Sequence, residues 1–120
     1  MLALPDLHAY LAGRPAATRE QPFGPGVEVF KIGGKMFAIA PETGAPSVTL
    51  KCDPHLSEMM RETYAAITPG YHTDKRHWIT IRQDADLPDE EVLGLIDHAY
   101  DLVRSKLTRA AKAALDAAGA

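Results

Sequence analysis

Cysteine is nearly absent from these 120 residues: Cys52 stands alone, so no intramolecular disulfide can form and no cysteine pair exists to hold a structural metal ion. Long apolar runs are missing as well, and none approaches the roughly twenty residues that carry a helix across a bilayer. The opening Met1-Leu2-Ala3-Leu4-Pro5-Asp6 has no basic start and no extended apolar stretch, so no secretory leader is read there. A cytoplasmic protein without a membrane partner is expected. A positive surplus is lacking too. Thirteen lysines and arginines face sixteen aspartates and glutamates, a net charge of −3, which weighs against a surface given over wholly to nucleic acid.

The motifs of catalysis are equally scarce. No glycine-rich phosphate loop, dinucleotide fingerprint or nucleophile elbow occurs. Of the five histidines, His55, His72 and His77 lie in the middle of the chain near Cys52, but no pair has the i, i+4 spacing of a helical zinc hydrolase. His72 or His77 beside Cys52 or Asp74 is the one arrangement that resembles a base and its partner, and residue order assigns it no geometry. The chain is therefore read as non-enzymatic, with no catalytic residues, no cofactor and no metal site.

What is present is an ordinary globular composition, 46% hydrophobic and 24% charged, in a length that suits one domain over residues 1–120. Charge is unevenly spread. Residues 31–82 carry seven basic side chains against five acidic, whereas residues 83–120 carry four against eight, so one face can be positive while the chain is not.

Taken in order, Asp6 to Ala12 reads as a short amphipathic helix closed by Gly13, and Ala17 to Gln21 as a first strand. Pro22-Phe23-Gly24-Pro25-Gly26 is a turn, with Phe23 expected to plug the core. Val27 to Ile32 and Lys35 to Ala40 flank Gly33-Gly34, a pair suited to a two-residue hairpin, and Ser47 to Lys51 adds a further strand. Asp53-Pro54 caps and starts a helix running to about Ala66, with Leu56, Met60, Thr63, Tyr64 and Ile67 on one stripe and Met59 and Met60 as core filler. After the polar turn Gln83-Asp84-Ala85-Asp86, Pro88 opens the longest helix, which buries Val92, Leu95, Ile96, Ala99, Tyr100, Val103 and Leu107. Ala110 to Ala120 extends that helix or frays.

The focal stretch is Pro69-Gly70-Tyr71-His72-Thr73-Asp74-Lys75-Arg76-His77-Trp78-Ile79-Thr80-Ile81. Pro69-Gly70 ends the preceding helix, and Trp78 to Ile81 favours a strand with Ile79 and Ile81 on one face and Trp78 and Thr80 on the other. Between them Tyr71, His72, Lys75, Arg76 and His77 gather donors and rings suited to an anion or a base, unless the loop is simply solvated and Trp78 anchors the core. At the hairpin tip, Lys31 and Lys35 flank an open glycine backbone that phosphate can approach, or they merely keep the hairpin soluble.

Several of these stretches together are similar to one known pattern. Pro69-Gly70-Tyr71-His72 with Lys75-Arg76-His77-Trp78, Pro22-Phe23-Gly24, Val29 to Ala38, Leu50 to Pro54 and Ala99-Tyr100-Asp101-Leu102-Val103 resemble the MmcQ/YjbR family of small bacterial proteins, which usually has serine at the position of Ala99. The resemblance spans nearly the whole chain. It implies a fold similar to the bacterial frataxin homologue CyaY and a DNA-binding role through a double-wing arrangement.

The expected architecture is α+β: an antiparallel sheet of about five strands packed on one face by two main helices. Two functions stay open. One is DNA binding through Lys31, Lys35, Lys75 and Arg76, with Tyr71 or Trp78 as a stacking surface and His72 and His77 beside them. The other is a small-molecule or anion-binding accessory or resistance protein with a pocket beside the same loop. Oligomeric state is not legible.

Overall fold

The computed structural model describes residues 2–70, 73–82 and 87–119. Its elements are α1 (Leu4–Ala12), β1 (Thr18–Glu20), β2 (Val27–Ile32), β3 (Lys35–Pro41), β4 (Ser47–Lys51), α2 (Pro54–Thr63), β5 (Ile67–Pro69), β6 (Trp78–Arg82), α3 (Asp89–Ser105) and α4 (Arg109–Gly119). The strands form one antiparallel sheet in the order β1-β2-β3-β4-β6-β5. The α+β class is as expected, but the described sheet has six strands rather than about five. The missed strand is β5, three residues that end in proline. Pro69 cannot donate to a ladder, which suits this outermost position.

The β2–β3 hairpin turns where Gly33 and Gly34 both take positive φ, at 59° and 79°, as a two-residue turn of this hand demands. Phe30 pairs with Ala38 but Lys31 pairs with Met36, so Phe37 is the extra residue of a bulge. Phe37 and Ala38 are therefore both buried, and the Phe37 ring meets Tyr100 of α3 edge-on at 5.6 Å.

Alternation along the paired strands divides the sheet into two faces. Phe30, Ile32, Ala38, Val48, Leu50, Ile79 and Ile81 join Leu7 and Leu11 of α1 and Val92, Ile96 and Val103 of α3 in one core. Val29 and Trp78 are also buried, yet they lie outside that core, on the opposite face. The assignment of Ile79 and Ile81 to one side and Trp78 to the other is thus borne out.

Helix signals were read well at one end and less well at the other. The Asp53 carboxylate accepts from the backbone N–H of His55 and Leu56, a side-chain cap that starts α2 at Pro54. That helix stops at Thr63, so Tyr64 and Ala66 follow it and Ile67 opens a strand. Pro69-Gly70 accordingly ends β5 and not a helix. Met59 is 62% exposed, and only Met60 of the pair packs on the core. Phe23 is 65% exposed because its proline- and glycine-bound turn holds it out in solvent and not as a plug. The last helix does not extend: α3 closes at Lys106, and Thr108 Oγ1 accepts from Ala111 N to start α4 afresh.

Among the described residues no helix is long and apolar enough to cross a membrane.

Candidate functional site: a lysine-lined recess at the hairpin tip

Three lysines remote in sequence come together at one end of the sheet. Lys35 starts β3, Lys51 ends β4 and Lys106 caps α3, and all three line a recess of about 590 Å³. Its apolar surface includes Trp78, Met36 and Leu107, and no carboxylate lines it among the described residues.

The hairpin tip reaches the helices because Gly33 has no side chain. A Cβ at this position would lie 2.7 Å from Leu107 Cδ1, so the tip rests directly on the residue that links α3 to α4. Glycine therefore serves both the turn and the close approach. Leu107 in turn packs on the core, which fixes the α3–α4 junction opposite the tip.

Trp78 and Lys51 are register partners, and the Lys51 ammonium lies 5.3 Å from the centre of the indole. The ring is held from behind by the backbone. Gly70 N donates to Trp78 O at 2.9 Å, and Cys52 N donates to His77 O at 2.8 Å. With only 7% of its surface exposed, Trp78 is a wall of the recess and not a free platform for stacking.

The remaining candidates take other roles. Lys31 forms an ion pair with Glu20 across β1 and β2 and does not line the recess. Lys75 Nζ donates to the Gly70 carbonyl at 3.1 Å and closes the loop onto itself. Arg76 is exposed, and its backbone N–H donates to Asp74 at 2.9 Å. His77 Nδ1 lies 2.8 Å from the other Asp74 oxygen. These bonds, the Arg76 N–H first and the His77 ring next, hold the Asp74 carboxyl below the usual carboxylate range, and Lys51 adds a smaller share. Tyr71 and His72 lie outside the described residues, as does the turn read at Gln83 to Asp86.

Of the residues the sequence singled out, the structure brings Lys35 and Trp78 into the recess, whereas Lys31, Lys75, Arg76 and His77 do not line it. Lys51 and Lys106 were missed as members of it. The only signal for Lys51 was its place on the same strand face as Thr49, and Lys106 follows a helix whose end a sequence leaves loosely defined.

Cys52, the one thiol of the chain, is fully buried, and burial pushes it up to about 11, which leaves it mostly protonated at neutral pH.

Comparison with known proteins covers most of the chain. The YjbR family profile matches residues 12–102, from the end of α1 into α3, and stops short of Lys106 and α4. YbdF of Escherichia coli O157:H7 is 39% identical over 89 residues, covering 73% of this chain and 73% of that protein. YjbR of Escherichia coli K12 is 29% identical over 100 residues, covering 82% and 85%. The crystal structure of a Deinococcus radiodurans protein with a DUF419 domain superposes with a TM-score of 0.89 at 32% identity, covering 97% of this chain and 89% of that one. A Pseudomonas syringae protein shares the fold at a TM-score of 0.72 and 23% identity, covering 85% and 99%.

Proposed function

This chain belongs to the YjbR family, and we propose that it is a non-enzymatic binding protein whose lysine-lined recess takes a phosphate-type anion attached to an apolar or planar body. The observation that carries this reading is the convergence of Lys35, Lys51 and Lys106 on one concavity without a lining carboxylate among the described residues. Three lysines lining one recess with apolar walls attract negative charge, and the volume is in the range of small-ligand sites. Lysine suits this task as a compact charge that needs no planar partner. Titration with inorganic pyrophosphate, followed by calorimetry and by the emission of the single tryptophan, tests the reading. Binding is expected at low salt and is expected to be lost in a Lys35→Ala/Lys51→Ala/Lys106→Ala variant. No binding at low salt, or unchanged binding in that variant, overturns it.

DNA binding is the second reading, favoured by the exposed Lys35 beside the open backbone at Gly34. The pairing of Lys31 with Glu20, the burial of Trp78 and the net charge of −3 reduce its support. Duplex and single-stranded DNA measured across a salt series decide it. On this reading affinity falls steeply with salt and weakens in a Lys75→Ala/Arg76→Ala variant.

A further inference from the structure

Lys51, Thr49 and Ser47 follow one another on the outer face of β4, beside Trp78, Thr80 and Arg82 of β6. Met36 and Ile39 continue the same face on β3. The first members of these rows, Lys51, Trp78 and Met36, line the recess. The later ones, Thr49, Thr80, Ile39 and Arg82, line a second and larger depression of about 760 Å³, and Met36 is a wall of both. The recess, bounded on one side by the α3–α4 junction, and the depression on the outer sheet face thus adjoin at Met36 as one run of concave surface. It is cationic at the hairpin tip and apolar beyond Met36, and Arg82 is the only charged side chain lining the second part among the described residues.

Polarity along this surface points to the ligand. Thr49 and Thr80 both line the depression and bond each other through their hydroxyls at 2.9 Å, so these two polar groups are engaged within the wall. Val27 and Ile39 supply aliphatic surface, and the half-open wall is completed by Phe23, which the turn at Gly24 and Gly26 holds out from the fold. From Lys51 to Ser47 the strand advances four residues, about 13 Å, close to the length of a ten-carbon chain.

We infer that the site takes a single amphiphile, a phosphate monoester of a medium to long alkyl chain, with its head among Lys35, Lys51 and Lys106 and its tail along the outer sheet face towards Arg82. The inference rests on the reading of the recess as an anion site and adds the tail. The lysines line a concavity between the hairpin tip and the α3–α4 junction, which suits a discrete head group entering it and not the flat surface of a bilayer.

Dodecyl phosphate below its micellar concentration is the probe, compared with ethyl phosphate, 1-dodecanol and vesicles of phosphatidylglycerol, with Trp78 emission and calorimetry as readouts. Dodecyl phosphate is expected to bind at least about tenfold tighter than ethyl phosphate, because each buried methylene adds to affinity. An Ile39→Asn variant, altered on the half-buried outer face, is expected to lose that gain while binding ethyl phosphate as before. Ethyl phosphate binding with no gain from the tail overturns the inference and leaves the anion site standing. Failure of both phosphates overturns both. Equal binding of 1-dodecanol, or vesicle binding that dodecyl phosphate does not displace, also overturns it, since the first needs no head site and the second marks a bilayer surface.

Discussion

Lys51 and Trp78 face each other across β4 and β6, with the lysine ammonium 5.3 Å from the indole centre. A cation over the face of a buried ring changes the ring's surroundings whenever the cation moves. Because Trp78 is the one tryptophan of the chain, the protein's tryptophan emission reports the surroundings of this ring. Replacing Lys51→Met is expected to shift the emission while costing under about 1 kcal/mol of stability, the usual scale of a partly exposed cation–ring contact. Pyrophosphate affinity is expected to fall about tenfold, the equivalent of one lost charge-assisted contact. Denaturant unfolding and titration of the same variant measure both.

Gly70 leaves no room for a side chain. An added Cβ would meet Thr73 Oγ1 at 2.1 Å, Trp78 Cβ at 2.6 Å and the Trp78 backbone carbon at 3.1 Å. The threonine can rotate, but the tryptophan Cβ and backbone are fixed in β6 by the Gly70–Trp78 hydrogen bond. Gly70→Ala is expected to destabilise the fold by about 3 kcal/mol, at the upper end of overpacking costs, and to displace the Trp78 emission even in the folded protein. An alanine variant as stable as the parent removes the close approach as an explanation for the glycine.

Glu28 is buried at 6% exposure beside the outermost strand, with Arg19 Nε 3.1 Å from one oxygen and Gln21 Nε2 donating to the other at 3.0 Å. The hydrogen bond from Arg19 holds its carboxyl below the ordinary range, against the opposing effect of burial. A folded-state value below the unfolded one means that the stabilisation is complete above the ordinary glutamate range. It is lost as pH falls through the lowered value. Glu28→Gln is expected to cost about 1–3 kcal/mol at neutral pH and to flatten the acid side of the stability curve. Chemical unfolding of parent and variant at a series of pH values tests both parts.

Much of the frame was legible because it rests on local chemistry. Gly33-Gly34 specifies a hairpin whatever surrounds it, Asp53-Pro54 carries its own cap, and the alternation of Trp78 to Ile81 assigns two faces without knowing what covers either. What was missed depends on tertiary partners. Strand β5 has three residues and exists only because β6 pairs with it, and Phe23 reads as core from its type but is carried outward by the turn that holds it. The recess was half legible. Lys35 and Trp78 flank recognisable signals, whereas Lys51 and Lys106 join them only through the β4–β6 register and the seating of Gly33 on Leu107.

Cys52 tests the burial of the sheet's end from the inside. Its side chain has no exposed surface and belongs to the core, and its backbone N–H is tied to His77, directly before Trp78. Desolvation is the main cause that raises the thiol to about 11, with the Asp53 charge next. At pH 8 only about a thousandth of the thiol is then ionised, against roughly a quarter for a free cysteine. Iodoacetamide at that pH is expected to label the native protein at least about a hundredfold more slowly than the urea-unfolded chain, since both ionisation and access are reduced. Mass spectrometry of a quenched time course reads the ratio. Because labelling needs the strand end to open, Gly70→Ala is expected to speed it, tying the packing behind Trp78 to the thiol on the other side of the sheet. Equal rates in native and unfolded protein rule out the buried position and with it the rigid back wall of the recess.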